Sequence, residues 1–334
     1  MTIAGMGTSL KKTILLLVTV FASIHAAADD YIGREDVTAF IDEMVSEHQF
    51  AREDMQAWLS QAKKKQNIID AISRPAEKTH TWASYQKIFL TSSRIKKGVE
   101  FWNDNQATLE KVEQEFGVPI SVIVAIIGVE TRYGSNKGSY RVVDALSTLG
   151  FDYPPRAKFF RKELKEFFLL AREQKQNPLE LIGSYAGAMG YGQFIPSSYR
   201  AYAIDYTGDD FADIWNNEVD AIASVANYFK RHGWKQDQPV IVRARIANNY
   251  DRSILNDSLK PKHTVESLLA QGYTPITTLA QQPANMIRLE GNRGAEFWMG
   301  LQNYYVITRY NHSRLYAMAV WQLSQEIAHA KQAK

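Results

Sequence analysis

Residues 117–134 read GVPISVIVAIIGVETRYG, and this stretch decides how the chain folds. Pro119 suits the first turn of a helix, because the N–H group that proline lacks would be unpaired there. The apolar residues of 120–129 then cover every face of the predicted helix, which is the pattern of a helix buried on all sides. Gly134 is suited to a C-terminal stop. The sequence therefore predicts a core helix around which the other elements pack.

One carboxylate, Glu130, lies at the end of this helix. Lifting a carboxylate partly out of water raises its pKa, and a carboxyl group kept protonated near neutral pH can donate a proton. A negative charge at a helix C-terminus also opposes the helix dipole, which indicates a role beyond stability. The spacing leaves two interpretations open: a proton-donating acid, or a helix end at which Glu130 merely pairs with Arg132.

The composition narrows the classes of function. The chain has 334 residues, of which 45% are hydrophobic and 12% aromatic, enough for one large domain or two to three smaller ones. A net charge of only +3 gives no case for binding nucleic acid. The absence of cysteine excludes disulfides, thiolate chemistry, cysteine zinc sites and a lipid-modified cysteine.

Residues 1–28 are typical of a secretory signal peptide. Lys11 and Lys12 precede an apolar stretch at 13–24, which is too short for a comfortable membrane span. The small residues at 26–28 then offer a cleavage site before Asp29. We expect export followed by cleavage; an uncleaved segment would instead tether the protein to the membrane.

The rest of the chain predicts a mainly α protein with a small β subdomain, of class α+β. Apolar residues recur at helical spacing through 31–114, with one long helix expected over 99–116, and a further helix is expected over 220–232. Residues 238–290 change character, because 240–242 and 286–289 are typical of strands separated by polar, proline-bearing segments. We therefore divide the chain into a signal at 1–28, a helical part at 29–237, a β subdomain at 238–290 and a helical return at 291–334.

A second unusual stretch, residues 184–199, reads SYAGAMGYGQFIPSSY. Gly187, Gly190 and Gly192 let the backbone approach a neighbour closely. The spacing is not that of a nucleotide-binding loop, since the third glycine of that motif is missing. Both a tight turn between helices and the polar, aromatic wall of a cleft fit this pattern.

An acidic loop at residues 205–216 reads DYTGDDFADIWN and resembles a calcium-binding loop. Asp210 stands where such loops usually have glycine, and Asn216 stands where they usually have glutamate. A structural Ca²⁺ and a plain acidic turn are both compatible with it. The oxygen donors at ligand spacing are Asp205, Thr207, Asp209, the Phe211 carbonyl and, further along, Asp220.

Four motifs together resemble the membrane-bound lytic murein transglycosylase B family. They are GVETRYG at 128–134, AGAMGYGQFIPSSY at 186–199, SVANYF at 224–229 and ITRYNHS at 307–313. The resemblance covers nearly all of the chain after the signal. It implies a lysozyme-like core flanked by a helical domain and an inserted β domain, in the periplasm, with peptidoglycan glycan strands as substrate. An uncleaved signal would then hold the protein at the inner membrane.

The resemblance also implies the site. Glu130 corresponds to the sole catalytic acid and base of the family, and the loop from Asp205 corresponds to its calcium-binding loop. This chain lacks the lipid-accepting cysteine of the lipoprotein members and has an extra residue near Asn216. The positions that match the lining of the glycan cleft are Ser184, Gln193, Tyr228, Tyr310, Asn311 and Tyr316.

The expected reaction is cleavage of the β-1,4 bond between MurNAc and GlcNAc without water, which leaves a 1,6-anhydro-MurNAc end. We expect no organic cofactor, a monomer, and association with other cell-wall enzymes. One alternative is a hydrolytic, lysozyme-type muramidase that uses a second carboxylate such as Asp144 or Asp152. Another is a wall-binding protein whose site is inactive.

Overall fold

The computed structural model describes residues 30–73 and 80–333, so the predicted signal peptide lies outside the described residues. Helices predominate in these residues. They are α1 Glu35–His48, α2 Arg52–Gln61, α3 Gln66–Ser73, α4 Trp82–Phe89, α5 Ser92–Asp104, α6 Gln106–Phe116, α7 Ile120–Thr131, α8 Val142–Asp152, α9 Ala157–Glu173, α10 Pro196–Tyr202, α11 Glu218–Arg231, α12 Val265–Ala270, α13 Gln302–Tyr310 and α14 Arg314–Gln332.

The strands are short except in one sheet. They are β1 Tyr140–Arg141, β2 Ile182–Gly183, β3 Ile241–Ile246, β4 His263–Thr264, β5 Tyr273–Pro275, β6 Pro283–Gly291 and β7 Gly294–Gly300. β1 and β2 form a two-stranded antiparallel pair, and the others form one antiparallel sheet in the order β4-β6-β7-β3-β5. The expected α+β class, mainly helical with a small β subdomain, is what the chain adopts.

Helix α7 is the centre of the helical core. Its residues from Ile120 to Val129 are all buried, as an apolar pattern on every face requires. It packs against α14, α5 and α11. Among the described residues no single helix is long and apolar enough to cross a membrane; α6 and α7 meet that criterion only as a pair bent by 114°.

The end of α7 differs from the sequence expectation. The helix stops at Thr131, because Arg132 and Tyr133 adopt left-handed backbone conformations with φ of 50° and 59°. Their amides donate to the carbonyls of Gly128 and Ile127, which closes the last turn. The chain therefore turns away directly after Glu130, three residues before the expected stop.

The helix expected over 99–116 is two helices, α5 and α6. Asn105 breaks the run, with φ of −113°, and its side chain donates to the Phe101 carbonyl and to Glu218 Oε2 at 2.7 Å. Asparagine competes for backbone partners in this way, which is why it favours helix ends over interiors. The expectation of one long helix was wrong.

The β subdomain has its own small core, which includes Tyr273, Leu268 and Met299. Its predicted boundary at residue 290 was wrong, because β7 pairs with β6 along its whole length as a hairpin. Cutting the chain at 290 would separate the two strands of that hairpin. The sheet therefore ends at Gly300, and the helical return begins with α13.

Candidate active site

Glu130 lies in the last turn of α7 and is partly buried. Tyr316, in the first turn of α14, is 3% exposed and donates its hydroxyl hydrogen to Glu130 Oε1 at 2.5 Å. Ser313 fixes the start of α14 by accepting a hydrogen bond from the Tyr316 amide. The contact of α14 with α7 thus brings together two residues that are 186 positions apart in the sequence.

The electrostatic setting of Glu130 favours the protonated acid. Burial raises its pKa from 4.5 to about 7, while the hydrogen bond from Tyr316 works in the opposite direction. Among the described residues Glu130 forms no ion pair, so the alternative in which Arg132 neutralises it is wrong. The acid is therefore poised to exchange a proton near neutral pH.

Of the other predicted site tyrosines, Tyr310 lies near this acid and Tyr228 packs against Tyr310. Tyr310 donates to the Gly192 carbonyl at 2.6 Å, and Tyr228 donates to the Arg309 carbonyl at 2.6 Å. The rings of Tyr228 and Tyr310 are 4.7 Å apart. Burial and the charge of Glu130 hold the pKa of Tyr310 well above its usual range, so this phenol keeps its proton. The three tyrosines join α11, α13, α14 and the glycine-rich loop around one site.

The loop that contains Gly187, Gly190 and Gly192 packs closely against its neighbours. A Cβ on Gly190 would lie 2.3 Å from the Ile214 carbonyl oxygen, and one on Gly192 would lie 2.8 Å from Tyr310 Oη. Only glycine fits such contacts without moving backbone or a buried ring. The loop is therefore fixed against the site.

Ser184 and Gln193 hold this loop in shape. Ser184 Oγ accepts hydrogen bonds from the amides of Ala186 and Ala188. Gln193 has a left-handed backbone, with φ of 52°, and its Nε2 donates to the carbonyls of Gly190 at 3.0 Å and Lys137 at 3.3 Å. Its Oε1 has no partner among the described residues and is left for a ligand.

Asn311 follows α13 and is exposed. Within the described parts of the chain its side chain makes no hydrogen bond, and α14 is capped by Ser313 instead. Ser313, and not Asn311, therefore caps this helix. Asn311 is free to donate and accept at once.

Thr131 was not singled out from the sequence. Its buried hydroxyl donates to the Tyr191 carbonyl at 3.0 Å and lies 3.1 Å from the Ile127 carbonyl. It thereby ties the residue next to Glu130 to the glycine-rich loop. A threonine at the end of an apolar helix has no pattern of its own, so only the tertiary contact reveals this role.

The acidic loop gathers three carboxylates. Oxygen atoms of Asp205, Asp209 and Asp220 lie within 4.8 Å of one another. The Thr207 hydroxyl lies 3.3 Å from Asp205 Oδ1 and 3.2 Å from Asp220 Oδ1. The Phe211 carbonyl accepts the Asp213 amide at 2.8 Å. Among the described residues no lysine, arginine or histidine pairs with these acids. An all-oxygen set of this kind fits a hard cation such as Ca²⁺.

The two acids named for a hydrolytic mechanism are engaged elsewhere. Asp144 is 2% exposed and pairs with Arg141 at 2.7 Å and Lys65 at 3.6 Å. Asp152 pairs with Arg34 at 3.0 Å and Lys64 at 3.2 Å. Both acids hold α8 against the N-terminal helical segment. Neither contributes to the pKa of Glu130.

Comparison with known proteins identifies the family. The family model described as "Transglycosylase SLT domain" matches residues 33–325. Membrane-bound lytic murein transglycosylase B of Escherichia coli (strain K12) is 45% identical over 312 residues, which cover 90% of this chain and 85% of the relative. The chain belongs to the lytic murein transglycosylase B family. It is therefore a peptidoglycan lytic transglycosylase, and the family and enzyme class expected from the sequence are confirmed.

Solved structures of this family agree in fold. Soluble lytic transglycosylase SltB1 from Pseudomonas aeruginosa is 51% identical, with a TM-score of 0.86, and the match covers 89% of this chain and 99% of that one. The Escherichia coli lytic transglycosylase Slt35 in complex with calcium is 45% identical, with a TM-score of 0.83, covering 90% and 95%. The expected fold class is confirmed by these matches.

Proposed function

We propose that Glu130 acts alone, first as acid and then as base, in a cleavage that leaves 1,6-anhydro-MurNAc and consumes no water. The observation that carries this proposal is the carboxyl group of Glu130, whose pKa burial raises to about 7. A group with this pKa is substantially protonated at neutral pH and can also hold a charge once it has given up its proton.

The reaction proceeds in two proton transfers. Glu130 gives its proton to the glycosidic oxygen between MurNAc and GlcNAc, the C1–O bond breaks, and the 2-acetamido group of MurNAc stabilises the resulting cation. The Glu130 carboxylate then takes the proton of the 6-hydroxyl group, whose oxygen bonds to C1 and closes the ring. Because this hydroxyl belongs to the same sugar, the second step gains from proximity.

The hydrogen bond from Tyr316 makes the two carboxyl oxygens of Glu130 different. Its hydroxyl donates to Glu130 Oε1, so the carboxylic proton occupies the other oxygen, Oε2. Burial and the charge of Glu130 hold the pKa of Tyr316 well above its usual range, so Tyr316 stays a donor throughout. Its hydrogen bond also stabilises the carboxylate formed after the first transfer.

A hydrolytic mechanism needs a second carboxylate facing the acid across the scissile bond. Asp144 and Asp152 are instead paired with Lys65 and Arg34 of the N-terminal helical segment. This favours the single-acid mechanism over the muramidase alternative. It also leaves the 6-hydroxyl group of the substrate as the nucleophile.

We further propose that the six predicted cleft residues bind the glycan strand. The free amide of Asn311 and the unpaired Oε1 of Gln193 are suited to acetamido and hydroxyl groups. The partly exposed ring of Tyr310 supplies an aromatic surface beside the acid, and the buried ring of Tyr228 packs against it at 4.7 Å. Tyr316 acts through its hydrogen bond to Glu130. Ser184 acts by holding the wall in place.

The test is the digestion of purified murein sacculi by Glu130→Gln. The matched control is Glu53→Gln, which changes an exposed residue of α2. We expect the Glu130 variant to lose at least about a thousandfold in rate, while the control keeps its activity. Mass spectrometry of the products of the unaltered enzyme should find ends that are one water lighter than reducing ends. Reducing ends, or an active Glu130→Gln, would refute the proposal.

We propose that the acidic loop binds one Ca²⁺ through Asp205, Thr207, Asp209, the Phe211 carbonyl and Asp220. Support comes from the convergence of three carboxylates and from the calcium complex of Slt35. At a free concentration about a hundred times Kd, bound calcium would stabilise the fold by about 2.7 kcal/mol. A calcium-dependent rise in Tm should therefore be seen; it should vanish in Asp209→Asn and persist in Asp210→Asn. No rise, or equal loss in both variants, would contradict the site.

We propose the periplasm as the location, with residues 1–28 as the export signal. A positively charged start, an apolar stretch and small residues before Asp29 support this. N-terminal sequencing of the protein from a periplasmic fraction should begin at or near Asp29. A chain that still carries its first residues would favour a membrane tether instead.

A further inference from the structure

A small cationic cavity lies beside the end of α7, against the start of α5. Its volume is about 270 Å³, and its lining contains three positive side chains and no negative one. The lining residues are Thr91, Ser93, Arg94, Lys97, Arg132 and Tyr133. None of these residues was assigned a function above.

Arg94 is the unusual member of this lining. Its side chain is buried, with a residue exposure of 7%, and its Nη1 donates to the Ile88 carbonyl at 2.5 Å. Its Nε, however, is buried without a partner. Burial and the nearby charge of Arg132 lower the pKa of Arg94, so the two guanidinium groups repel each other. The repulsion between these two cations is relieved by a bound anion.

The other hydrogen-bond donors around the cavity also favour an anionic ligand. Among the described residues, Arg94, Lys97 and Arg132 form no ion pair. Thr91 caps α5, a helix of 13 residues, and the first amide N–H groups of a helix have no partners within it. Helix N-termini bind anions through these groups and the helix dipole. Three cations and a helix N-terminus therefore face one cavity.

The cavity borders the catalytic turn. Tyr133 forms its wall and donates to the Arg94 carbonyl at 2.9 Å. Arg132 follows Glu130 by two residues. An anionic group carried by the sugar at the reacting bond is thus the nearest source of a ligand.

We propose that this cavity binds a carboxylate of the murein substrate and gives the enzyme a preference for acidic strands. The carboxylate has two sources, the peptide stem and the lactyl group of a muramoyl residue without a stem. Charge-assisted hydrogen bonds from guanidinium and ammonium groups are the interactions that recognise a carboxylate. This inference rests on the proposed function, because it assumes that the strand crosses the site at Glu130.

The experiment measures binding rather than turnover. In the full-length Glu130→Gln protein, Kd is measured for a GlcNAc-MurNAc-peptide, for the same fragment with its carboxyl groups amidated, and for the stem-free disaccharide. The acidic fragment should bind about tenfold more tightly than the amidated one. Added salt should reduce this ratio, because it screens exposed charges such as Lys97.

The variants replace two exposed cations of the cavity, Lys97 and Arg132, and the control replaces Lys96, which lies outside it. Lys97→Gln and Arg132→Gln should each reduce the acid-to-amide ratio about threefold, since each removes one partner at the surface. Lys96→Gln removes the same charge one residue earlier in α5, where Lys96 lies 3.8 Å from Glu100 and outside the cavity. It should leave the ratio unchanged.

The outcomes separate the alternatives. A ratio that survives in Lys97→Gln and Arg132→Gln, or that falls equally in Lys96→Gln, overturns the proposal. If the two variants bind the stem-free disaccharide more weakly, the cavity binds the lactyl carboxylate. If they bind only the stem-bearing fragment more weakly, the cavity binds a carboxylate of the peptide stem. Either result supports the site. Cleavage of the fragments by Glu130→Gln would instead overturn the acid-base assignment and leave the binding ratio readable.

Discussion

Two carboxylates of this enzyme, Glu130 and Asp220, are both withdrawn from water, and burial raises the pKa of each. Their surroundings differ. Asp220 accepts hydrogen bonds from the amides of Tyr206, Thr207 and Asp213 and from the Thr207 hydroxyl. Within the described part of the chain, Glu130 accepts one hydrogen bond, from Tyr316. Several hydrogen-bond donors stabilise the ionised form of Asp220, whereas the single donor at Glu130 leaves that carboxyl group able to gain and lose a proton.

The comparison separates a structural acid from a reactive one. The hydrogen bonds to Asp220 connect the acidic loop to α11, so this acid contributes to folding. Glu130 ends an apolar helix whose dipole opposes its charge, so its ionised form destabilises the fold. Substitutions at four positions test this difference.

Asp220→Ala should destabilise the protein by about 3 kcal/mol, because it leaves several buried donors without an acceptor. The measurement is urea unfolding at neutral pH. Asp220→Asn should lose roughly half as much, since its Oδ1 still accepts while its amide cannot accept from Asp213. If both variants unfolded like the unaltered protein, Asp220 would not be the structural acid of the pair.

Glu130→Gln should raise stability at and above pH 7 by about 3 kcal/mol and have little effect below pH 4.5. Below pH 4.5 the acid is protonated in both the folded and the unfolded chain. Between pH 4.5 and 7 only the unfolded chain ionises, so the stability of the unaltered protein falls as pH rises. The check is the pH dependence of urea unfolding. A constant difference across this range would show that Glu130 carries no burial penalty.

Tyr316→Phe should reduce kcat/KM at neutral pH by about tenfold, because Glu130 loses the donor that orients it and stabilises its charge. Without that donor the pKa of Glu130 rises further, so the alkaline limb of the pH profile should move to higher pH. Tyr305→Phe on α13 is the matched control and should change neither quantity. A lower rate with an unmoved limb would mean that Tyr316 acts only through packing.

Asp210→Gly should be neutral or stabilise the protein by up to about 1 kcal/mol, whereas Asp210→Ala should destabilise it by about 1 kcal/mol. Asp210 has a φ of 71°, the left-handed conformation that glycine adopts freely in calcium-binding loops. The check is thermal unfolding of both variants with and without calcium. Equal stability of the glycine and alanine variants would mean that the backbone here is not constrained.

Much of the site could be predicted because it depends on local patterns. The apolar run of α7 predicted a buried helix ending in an acid, and the spacing of donors from Asp205 predicted an oxygen-lined loop. The division of 99–116 at Asn105 could not be predicted, because the partner that favours it, Glu218, is distant in the sequence. The end of the β subdomain was missed for the same reason, since only strand pairing joins β7 to β6.

Three features have local causes and can be read from the sequence: the helix that must be buried, the acid at its end, and the glycines that allow close contact. The acidity of Glu130 depends on the folded chain, because its pKa depends on burial and on Tyr316, 186 residues away. Folding alone places Arg94, Lys97 and Arg132 around one cavity. Desolvation and charge act over a few ångströms in space, and sequence distance does not report them.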